Sequence, residues 1–314
     1  MRFLGLLLLL LVLAVLSLSA GRVWLGPIAL FDALMDPEGA GRMIWNLRLP
    51  RLLVGMIAGA GFGLAGLTFQ TLLRNPLASP DVIGVTQVAA FGAVAALFLG
   101  APVVLGAWAG GLAAVAVLGW LAAHPRHGIE TRAVVLQGLA LAIFAAAGTE
   151  ALILRMGDSS AGMAMTWLSG TLNAAGWAEV RRGIWLAPLL IPLLLAGRVL
   201  DRLELGDDLA RALGLRVGLL RAGLGLIAAL VAAGSVALCG PMGFVALAAG
   251  PVGRLVAGGR PSPLAAMLTG AAFVTLADVL ARALAPAALL PTGLYTALIG
   301  APVLILTVRR MARR

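Results

Sequence analysis

Apolar residues run along the chain in ten long stretches, separated by short segments that are polar or contain proline. Most stretches approach the length of about 20 residues that an α-helix needs to cross the hydrocarbon core of a bilayer. The pattern predicts an all-α polytopic membrane protein with about ten transmembrane helices, folded as a single domain over residues 1–314. The predicted spans are 3–20, 52–73, 82–100, 102–123, 133–154, 183–200, 219–239, 242–258, 264–285 and 290–308.

The composition supports the membrane class. Hydrophobic residues make up 61% of the chain and charged residues 11%, whereas a soluble domain carries about 25% charged residues. The 41 glycines suit helices that approach one another closely in lipid. A net charge of +10 is compatible with binding to nucleic acid, but the arginines lie between the predicted spans, so we expect no nucleic-acid partner.

The arginines also predict the orientation in the membrane. Ten spans place both termini on the same side, and about two thirds of the 23 arginines fall on that side, which the positive-inside rule identifies as the cytoplasm. Both termini are therefore predicted to be cytoplasmic. The first 20 residues also have the pattern of a secretory signal peptide; a first helix that is retained is the preferred interpretation.

A faint internal repeat accompanies the spans. Gly66 lies nine residues before Asn75-Pro76, and Gly240 lies ten residues before Gly250-Pro251. Each pair sits in a span followed by a turn that carries an arginine, Arg74 or Arg254, and a further proline. Because the two spans run in opposite directions in a ten-helix arrangement, the pattern predicts an inverted repeat, which is common in transporters. Chance similarity between helices rich in Gly, Ala and Leu is the alternative.

Residues that carry enzyme chemistry are sparse. His124 and His127 are the two histidines, and without a third ligand they make a poor metal site. The chain has no lysine, so it lacks the Gly-Lys-Ser/Thr of an ATP-binding loop and cannot power transport by itself. We therefore expect no enzymatic activity, no cofactor and no metal, and an inert buried thiol at Cys239.

Two other classes of membrane protein fit the composition less well. An intramembrane enzyme, such as a lipid-modifying transferase, would need clustered Asp, His or Lys side chains near the interface. A proton-coupled carrier would need ionisable groups inside several helices, and Glu150 and Asp278 are the candidates.

Two polar motifs flank the second span. Arg48-Leu-Pro-Arg51 precedes it, and Pro50 marks the helix entry; cationic side chains at this place could simply extend to the membrane interface. Asn75-Pro-Leu-Ala-Ser-Pro-Asp81 follows the span and predicts a turn between two helices, in which Asp81 can cap the next helix.

Two further polar features lie in the second half of the chain. The segment 206–215 predicts a short amphipathic helix with Leu209, Ala212 and Leu213 on one face, capped by Asp207 or Asp208 and closed by Gly214. Asp278 and Arg282, four residues apart, predict an ion pair near the outer end of the ninth span.

The run from Arg48 to Gly84 closely resembles the signature of the permease subunits of bacterial iron-chelate, haem and vitamin B12 ABC importers. The stretches 243–254 and 290–302 follow the patterns of the same family, and the resemblance covers residues 45–305 in order. The sequence departs from the family at Leu290, where glutamate is usual, and at Gly250-Pro251, where Pro-His is usual. The resemblance implies the type II ABC importer permease fold, with its inverted repeat.

The resemblance also implies roles for particular residues. Docking of a substrate-binding protein falls to Arg48, Arg51 and Arg282, and the cytoplasmic gate to Asn75, Leu77 and Thr131. Contact with the ATPase falls to coupling helices over residues 203–218, in which the family pattern matches Gly206, Asp207, Asp208, Leu209, Arg211, Leu213 and Gly214.

The partners implied by the family are a second permease subunit, two ATP-binding-cassette ATPase subunits and a periplasmic or lipid-anchored substrate-binding protein. The second permease would be an identical chain or a related one. The expected location is the bacterial cytoplasmic (inner) membrane. The runs 79–84 and 244–249 look most like permeases for catecholate siderophores of the enterobactin type, while hydroxamate siderophores, haem and cobalamin remain alternatives.

Overall fold

A computed structural model of the chain describes residues 2–21, 24–39, 41–122, 131–284 and 290–312, and these residues form helices joined by turns, without strands. The elements are α1 (Arg2–Ser19), α2 (Pro27–Met35), a π-helical turn (Ile44–Arg48) that leads into α3 (Leu49–Leu72), α4 (Val85–Phe98), α5 (Val103–Ala122), α6 (Thr131–Ile153), α7 (Asp158–Leu168), α8 (Trp177–Ile184), α9 (Ala187–Leu195), α10 (Gly197–Glu204), α11 (Asp207–Ala212), α12 (Val217–Cys239), α13 (Val245–Val256), α14 (Pro263–Leu284) and α15 (Thr292–Ala312).

The helices confirm the ten predicted segments, with one interruption. Nine segments each coincide with one helix, whereas the sixth, 183–200, is divided among α8, α9 and α10. Pro188 and Pro192 lie in α9, and proline removes a backbone donor and disturbs the preceding turn. Among the described residues, six helices are long and apolar enough to cross a membrane, and α4, α5 and α13 contribute shorter apolar helices.

The long helices alternate between two ends of the bundle. Since α3 runs from Arg48 to the turn at Asn75, we name these the Arg48 end and the Asn75 end. Arg2, at the start of α1, donates to the carbonyl oxygen of Leu255 at the Asn75 end. α15 starts beside Asp278 at the Arg48 end and, at 21 residues, is long enough to reach the other end. The first and last helical turns thus share one end, as predicted.

Glycine allows the central helices to touch through their backbones. α3 is the most buried of the membrane-length helices and packs against α12, α13 and α14. A Cβ added at Gly59 would collide with the backbone of Gly270 in α14, and one at Gly66 would collide with the carbonyl oxygen of Ala246 in α13. Such contacts let helices associate by close packing where lipid removes the hydrophobic drive.

Two short helices were not predicted. α2 and α7 each lie in a segment interpreted as a loop.

Asp81 does not cap α4, since the cap residue is Gly84, whose φ of +81° suits glycine. Cys239 is buried as predicted. The predicted loop histidines, His124 and His127, lie outside the described residues.

Candidate functional site

At the Arg48 end, Asp278 of α14 is buried between two arginines. Its side chain is 2% exposed, and those of Arg51 and Arg282 are 13% and 14% exposed. Arg51 donates to Oδ1 of Asp278 from Nη2 at 2.7 Å and from Nε at 2.9 Å, while Nη2 of Arg282 lies 2.8 Å from Oδ2. The predicted pair of Asp278 and Arg282 is confirmed, and Arg51 joins it, so that one carboxylate fastens α3 to α14.

Arg48 and Arg282 hold the last turn of α1. Nη1 of Arg48 donates to the carbonyl oxygens of Leu18 and Ser19, both at 2.7 Å, and Nη1 of Arg282 donates to the carbonyl oxygen of Ala20 at 2.9 Å. Carbonyls at a helix C-terminus lack intrahelical donors and carry the negative end of the helix dipole, so cationic donors stabilise them. The end of α1 is thereby clamped to α3 and α14.

The structure therefore brings the three arginines of the predicted docking patch together. Arg48 is only 6% exposed, so extension of its side chain to the membrane interface does not describe it. This cluster holds three guanidinium groups and one carboxylate, that of Asp278, which binds Arg51 and Arg282. The excess of positive charge gives the cluster a positive potential. Docking itself stays a prediction.

At the Asn75 end, α3 stops in a Schellman motif that carries an arginine in place of the usual glycine. The backbone N–H of Asn75 donates to the carbonyl oxygen of Gln70 at 3.0 Å, and that of Arg74 donates to Thr71 at 3.3 Å. The closing residue of this motif adopts a left-handed conformation, which glycine tolerates best. Arg74 adopts it with φ of +49°, at a cost of about 1–2 kcal/mol.

The turn that follows is held by its own side chain. Oδ1 of Asn75 accepts a hydrogen bond from the backbone N–H of Leu77 at 2.9 Å, an arrangement that asparagine favours in turns. The side chain of Leu77 is half-exposed. α6 begins at Thr131, whose side chain lies outside the described residues. The gate role of these three residues stays a prediction.

The predicted coupling segment forms the short helix α11 between two glycines with positive φ. Gly206, with φ of +110°, is the N-cap, so Asp207 and Asp208 occupy the first turn and not the cap position as predicted. Their negative charges still favour a helix N-terminus. Gly214, with φ of +83°, ends the segment as predicted.

Three leucines of this segment are exposed, although leucine is a residue that usually lies inside. Leu205, Leu209 and Leu213, spaced four residues apart, are 56%, 57% and 53% exposed. Ala212 is also exposed, while Ala210 is buried against the protein. The predicted apolar face thus points away from the chain, and we call these three residues the leucine set.

Ion pairs connect α11 to the ends of α3 and α12. Asp207 pairs with Arg74 and accepts two hydrogen bonds of 2.8 Å from Arg221. Nearby, Glu204 of α10 pairs with Arg254 of α13, and Nη2 of Arg254 donates to Thr71 Oγ1 at 2.7 Å. Two carboxylates of the coupling segment therefore hold three of the helices that cross the bundle.

α13 fits against α3 where the sequence departs from the family pattern. Gln70 is 2% exposed and donates from Nε2 to the carbonyl oxygen of Leu247 at 3.1 Å. A Cβ at Gly250 would collide with Gln70 Oε1, so glycine at this position makes room for the amide. A cavity of about 280 Å³ opens beside it, lined by Gln70, Arg74, Asn75, Pro76, Glu204 and Arg254.

Sequence reasoning missed four residues of these networks: Arg74, Arg221, Glu204 and Arg254. The available signal was that an acidic residue in the 204–208 segment needs cationic neighbours, and that arginines stand at the ends of three predicted spans. Within the described residues, no group of three His, Cys, Asp or Glu side chains forms a metal site.

Comparison with known proteins covers nearly the whole chain. The chain is 34% identical over 315 residues to the Fe(3+)-citrate import system permease protein YfmE of Bacillus subtilis, covering 97% of this chain and 93% of that protein. It is 35% identical over 308 residues to the vitamin B12 import system permease protein BtuC of Klebsiella pneumoniae, covering 96% and 91%.

A solved structure agrees with the fold. An inward-facing conformation, described as that of a metal-chelate type ABC transporter, superimposes with a TM-score of 0.84 at 28% identity and covers 98% of each chain. The sequence model of the FecCD transport family matches residues 9–310. The match extends over all the described helices from the middle of α1 to the last turns of α15, and the chain belongs to the FecCD transport family.

Proposed function

We propose that this chain is a permease subunit of an ABC importer that carries a ferric siderophore across the bacterial cytoplasmic membrane, with the Asn75 end and both termini in the cytoplasm. Membership of the FecCD transport family and the relatives named for iron-chelate and vitamin B12 import support the importer class. The observation that carries the proposal is the leucine set, which exposes three apolar side chains beside the turn at Asn75.

The leucine set is the contact for the ATPase. Two ATPase subunits close on ATP and push the coupling segment, and the movement opens or shuts the pathway at the turn of Asn75 and Leu77. The pathway forms between this chain and a second permease subunit, identical or related. The half-exposed Leu77 suits a position on that shared axis, since an exposed apolar side chain is covered favourably by a partner.

The Arg48 end receives the substrate-binding protein. The excess positive charge of Arg48, Arg51 and Arg282 attracts carboxylates of that protein over a distance, even though the guanidinium groups themselves bond within the chain. Affinity for the binding protein should therefore fall as salt rises. As a control, Arg198→Glu changes an exposed residue of α10 at the other end and should leave that affinity unchanged. An affinity that does not depend on the salt concentration would contradict the docking role.

The cargo is proposed to be a catecholate siderophore of the enterobactin type, on the runs 79–84 and 244–249. Relatives named for ferric citrate and for vitamin B12 stand at similar identity, so ferric citrate and cobalamin compete with this cargo, and haem is a further alternative. Reconstituting the permease with its ATPase and binding protein in liposomes tests this directly. ATP-driven uptake of the iron-labelled catecholate chelate, in preference to haem and cobalamin, is the expected result.

The ATPase contact has its own test. Leu213→Asp places a charge in an interface that loses its water, so assembly with the ATPase should fall while membrane insertion persists. Leu99→Asp, at an exposed leucine that follows α4 at the Arg48 end, is the control and should assemble normally. Normal ATPase stoichiometry in the Leu213→Asp complex contradicts the proposed contact.

A further inference from the structure

The backbone at Arg74 adopts a conformation that its side chain makes unfavourable. Position 74 closes the Schellman motif at the end of α3, with φ of +49°, and glycine would close it without strain. A strained residue persists when the surrounding structure holds it in place, and such residues cluster at switch regions. What arginine offers at this position, and glycine does not, is a side chain.

That side chain reaches the coupling segment, 133 positions along the chain. Nη2 of Arg74 pairs with Asp207 at the first turn of α11 and lies 3.4 Å from the carbonyl oxygen of Leu203 near the end of α10. A single guanidinium group therefore touches both sides of the bend at Gly206. The next residue in the chain, Asn75, begins the turn that holds Leu77.

We propose that Arg74 and Asp207 are positioning residues that link the coupling segment mechanically to the turn at Asn75. The link rests on the proposed function, because the force that moves α11 comes from the ATPase. When α11 moves, Asp207 moves with it, and the pull on Arg74 changes the conformation of the turn. The strained backbone of Arg74 favours the change, because release of the side chain lets the turn relax.

Arg221 is a second arginine that binds Asp207, and the contacts of Asp207 with Arg74 and Arg221 differ in strength. It binds Asp207 through two hydrogen bonds of 2.8 Å and lies in the first turns of α12. Asp207 is therefore attached to a membrane-length helix through Arg221 and to the turn at Asn75 through Arg74. The two attachments differ in exposure, since the side chain of Arg74 is 42% exposed and that of Arg221 is 20% exposed. The better-screened contact, that of Arg74, is the one that gives way first.

The first experiment measures the turn itself and needs no transport. A thiol is placed at Leu77→Cys in a Cys239→Ala background, and its rate of labelling is measured in the membrane-embedded permease. Asp207→Asn and Arg74→Gly should each change the rate by about two- to fivefold, the range expected for loss of the partly exposed pair of Arg74 and Asp207. The double variant should change it no further than either single variant, because both remove the same link.

Arg74→Gly separates the link from general stability. The substitution removes the side chain and also relieves the backbone strain, so the melting temperature should stay level or rise while the labelling rate changes. A merely structural arginine would lower the melting temperature when removed. Arg198→Gln and Asp201→Asn, on α10, are the matched charge controls. Neither Arg198 nor Asp201 forms an ion pair within the part of the chain that the structure describes.

The second experiment measures transport per ATP in the reconstituted complex. Arg74→Gly should keep ATP hydrolysis and assembly while uptake per ATP falls by about two- to fivefold. Labelling at position 77 that is unchanged in both single variants overturns the link, whatever the transport assay gives. A wild-type complex without ATP-driven uptake overturns the proposed function instead, and the labelling result still decides the link between Arg74 and Asp207.

Discussion

The two ends of the bundle both concentrate arginine, but they use it in different ways. At the Arg48 end, Arg51 and Arg282 bind the carboxylate of Asp278, and Arg48 and Arg282 bind the last carbonyls of α1, all between long helices. At the Asn75 end, arginines pair with Asp207 and Glu204, which lie in a segment of short helices and bends.

Exposure separates the two ends further. The side chains around Asp278 are between 2% and 14% exposed, whereas those around Asp207 are between 20% and 59% exposed. A buried pair keeps its electrostatic attraction and is costly to break, while an exposed pair is weakened by water and salt. The comparison indicates that the Arg48 end is a fixed clamp, and the proposed function makes the Asn75 end the part that moves.

Asp278→Asn should break the clamp with the largest effect. It leaves Arg51 and Arg282 buried without their counter-charge, and we expect a loss of about 3–5 kcal/mol in the free energy of unfolding. Thermal unfolding of the purified chain in detergent measures it. Asp208→Asn, which neutralises a fully exposed carboxylate at the other end, should stay within about 0.5 kcal/mol. Equal melting temperatures for the two variants would contradict the contrast between the ends.

Arg48→Gln should loosen α1 by a smaller amount. The carbonyl oxygens of Leu18 and Ser19, one partly buried and one buried, lose this donor, at an expected cost of about 1–3 kcal/mol. The local effect is measured by labelling a thiol at Ala20→Cys in a Cys239→Ala background, which should react faster in the Arg48→Gln variant. Arg42→Gln, an exposed change at the same end, is the control. Identical reactivity in the two variants would show that Arg48 does not hold the end of α1.

Asp81 is a carboxylate at the Asn75 end that has no ion pair among the described residues. Burial raises the pKa of Asp81 to about 6, so the folded chain binds a proton there more tightly than the unfolded chain does. The contribution of Asp81 to stability therefore falls as the pH rises from about 4 to 6 and stays low above pH 6.

Asp81→Asn removes this partly buried charge and should stabilise the fold by about 1–2 kcal/mol at pH 8. Little change is expected at pH 4, where the carboxyl is protonated in the folded chain. Melting temperatures of the variant and the parent at the two pH values measure the difference. A gain that is larger at pH 4 than at pH 8 would have the wrong sign for a carboxylate whose pKa is raised.

A higher salt concentration should have the smallest effect, and it should weaken the ion pairs of the Asn75 end only. Raising the ionic strength from about 0.1 to 1 M shortens the screening length from about 10 to 3 Å. The exposed pairs of α11 should weaken by less than about 0.5 kcal/mol each, and the pairs of Asp278 should not respond. Amide hydrogen exchange that accelerates in 207–213 but not in 276–282 is the expected result.

The sequence predicted the helices well because length and apolarity determine them. Nine spans follow from uninterrupted apolar runs, and the short junctions before Pro102 and Pro241 were visible as prolines between them. The sixth span was wrong in its continuity, because the pattern of apolar residues does not show how Pro188 and Pro192 divide a helix. α2 was missed because nine residues are too few for the periodicity to stand out from a loop.

The contacts within the site were less predictable, since they depend on which helix ends meet. The pair of Asp278 and Arg282 lies on one helix four residues apart, and was predicted from that spacing. Asp207 and Arg74 are 133 positions apart, and only the crossing of the helices brings them together. Arg48 was interpreted as a possible interfacial cation, yet its side chain bonds to the end of α1. This contact was not predicted, because a sequence does not show which backbone carbonyls lie at an accessible helix end.

The leucine set has a consequence for how a cell makes this protein. A chain that keeps three leucines in water has a surface that adheres to other proteins until its partner covers it. If the partner is an ATPase, as proposed, a subunit made in excess would be prone to aggregation and degradation. Balanced synthesis of the two gene products would then be a requirement of the fold as much as of transport.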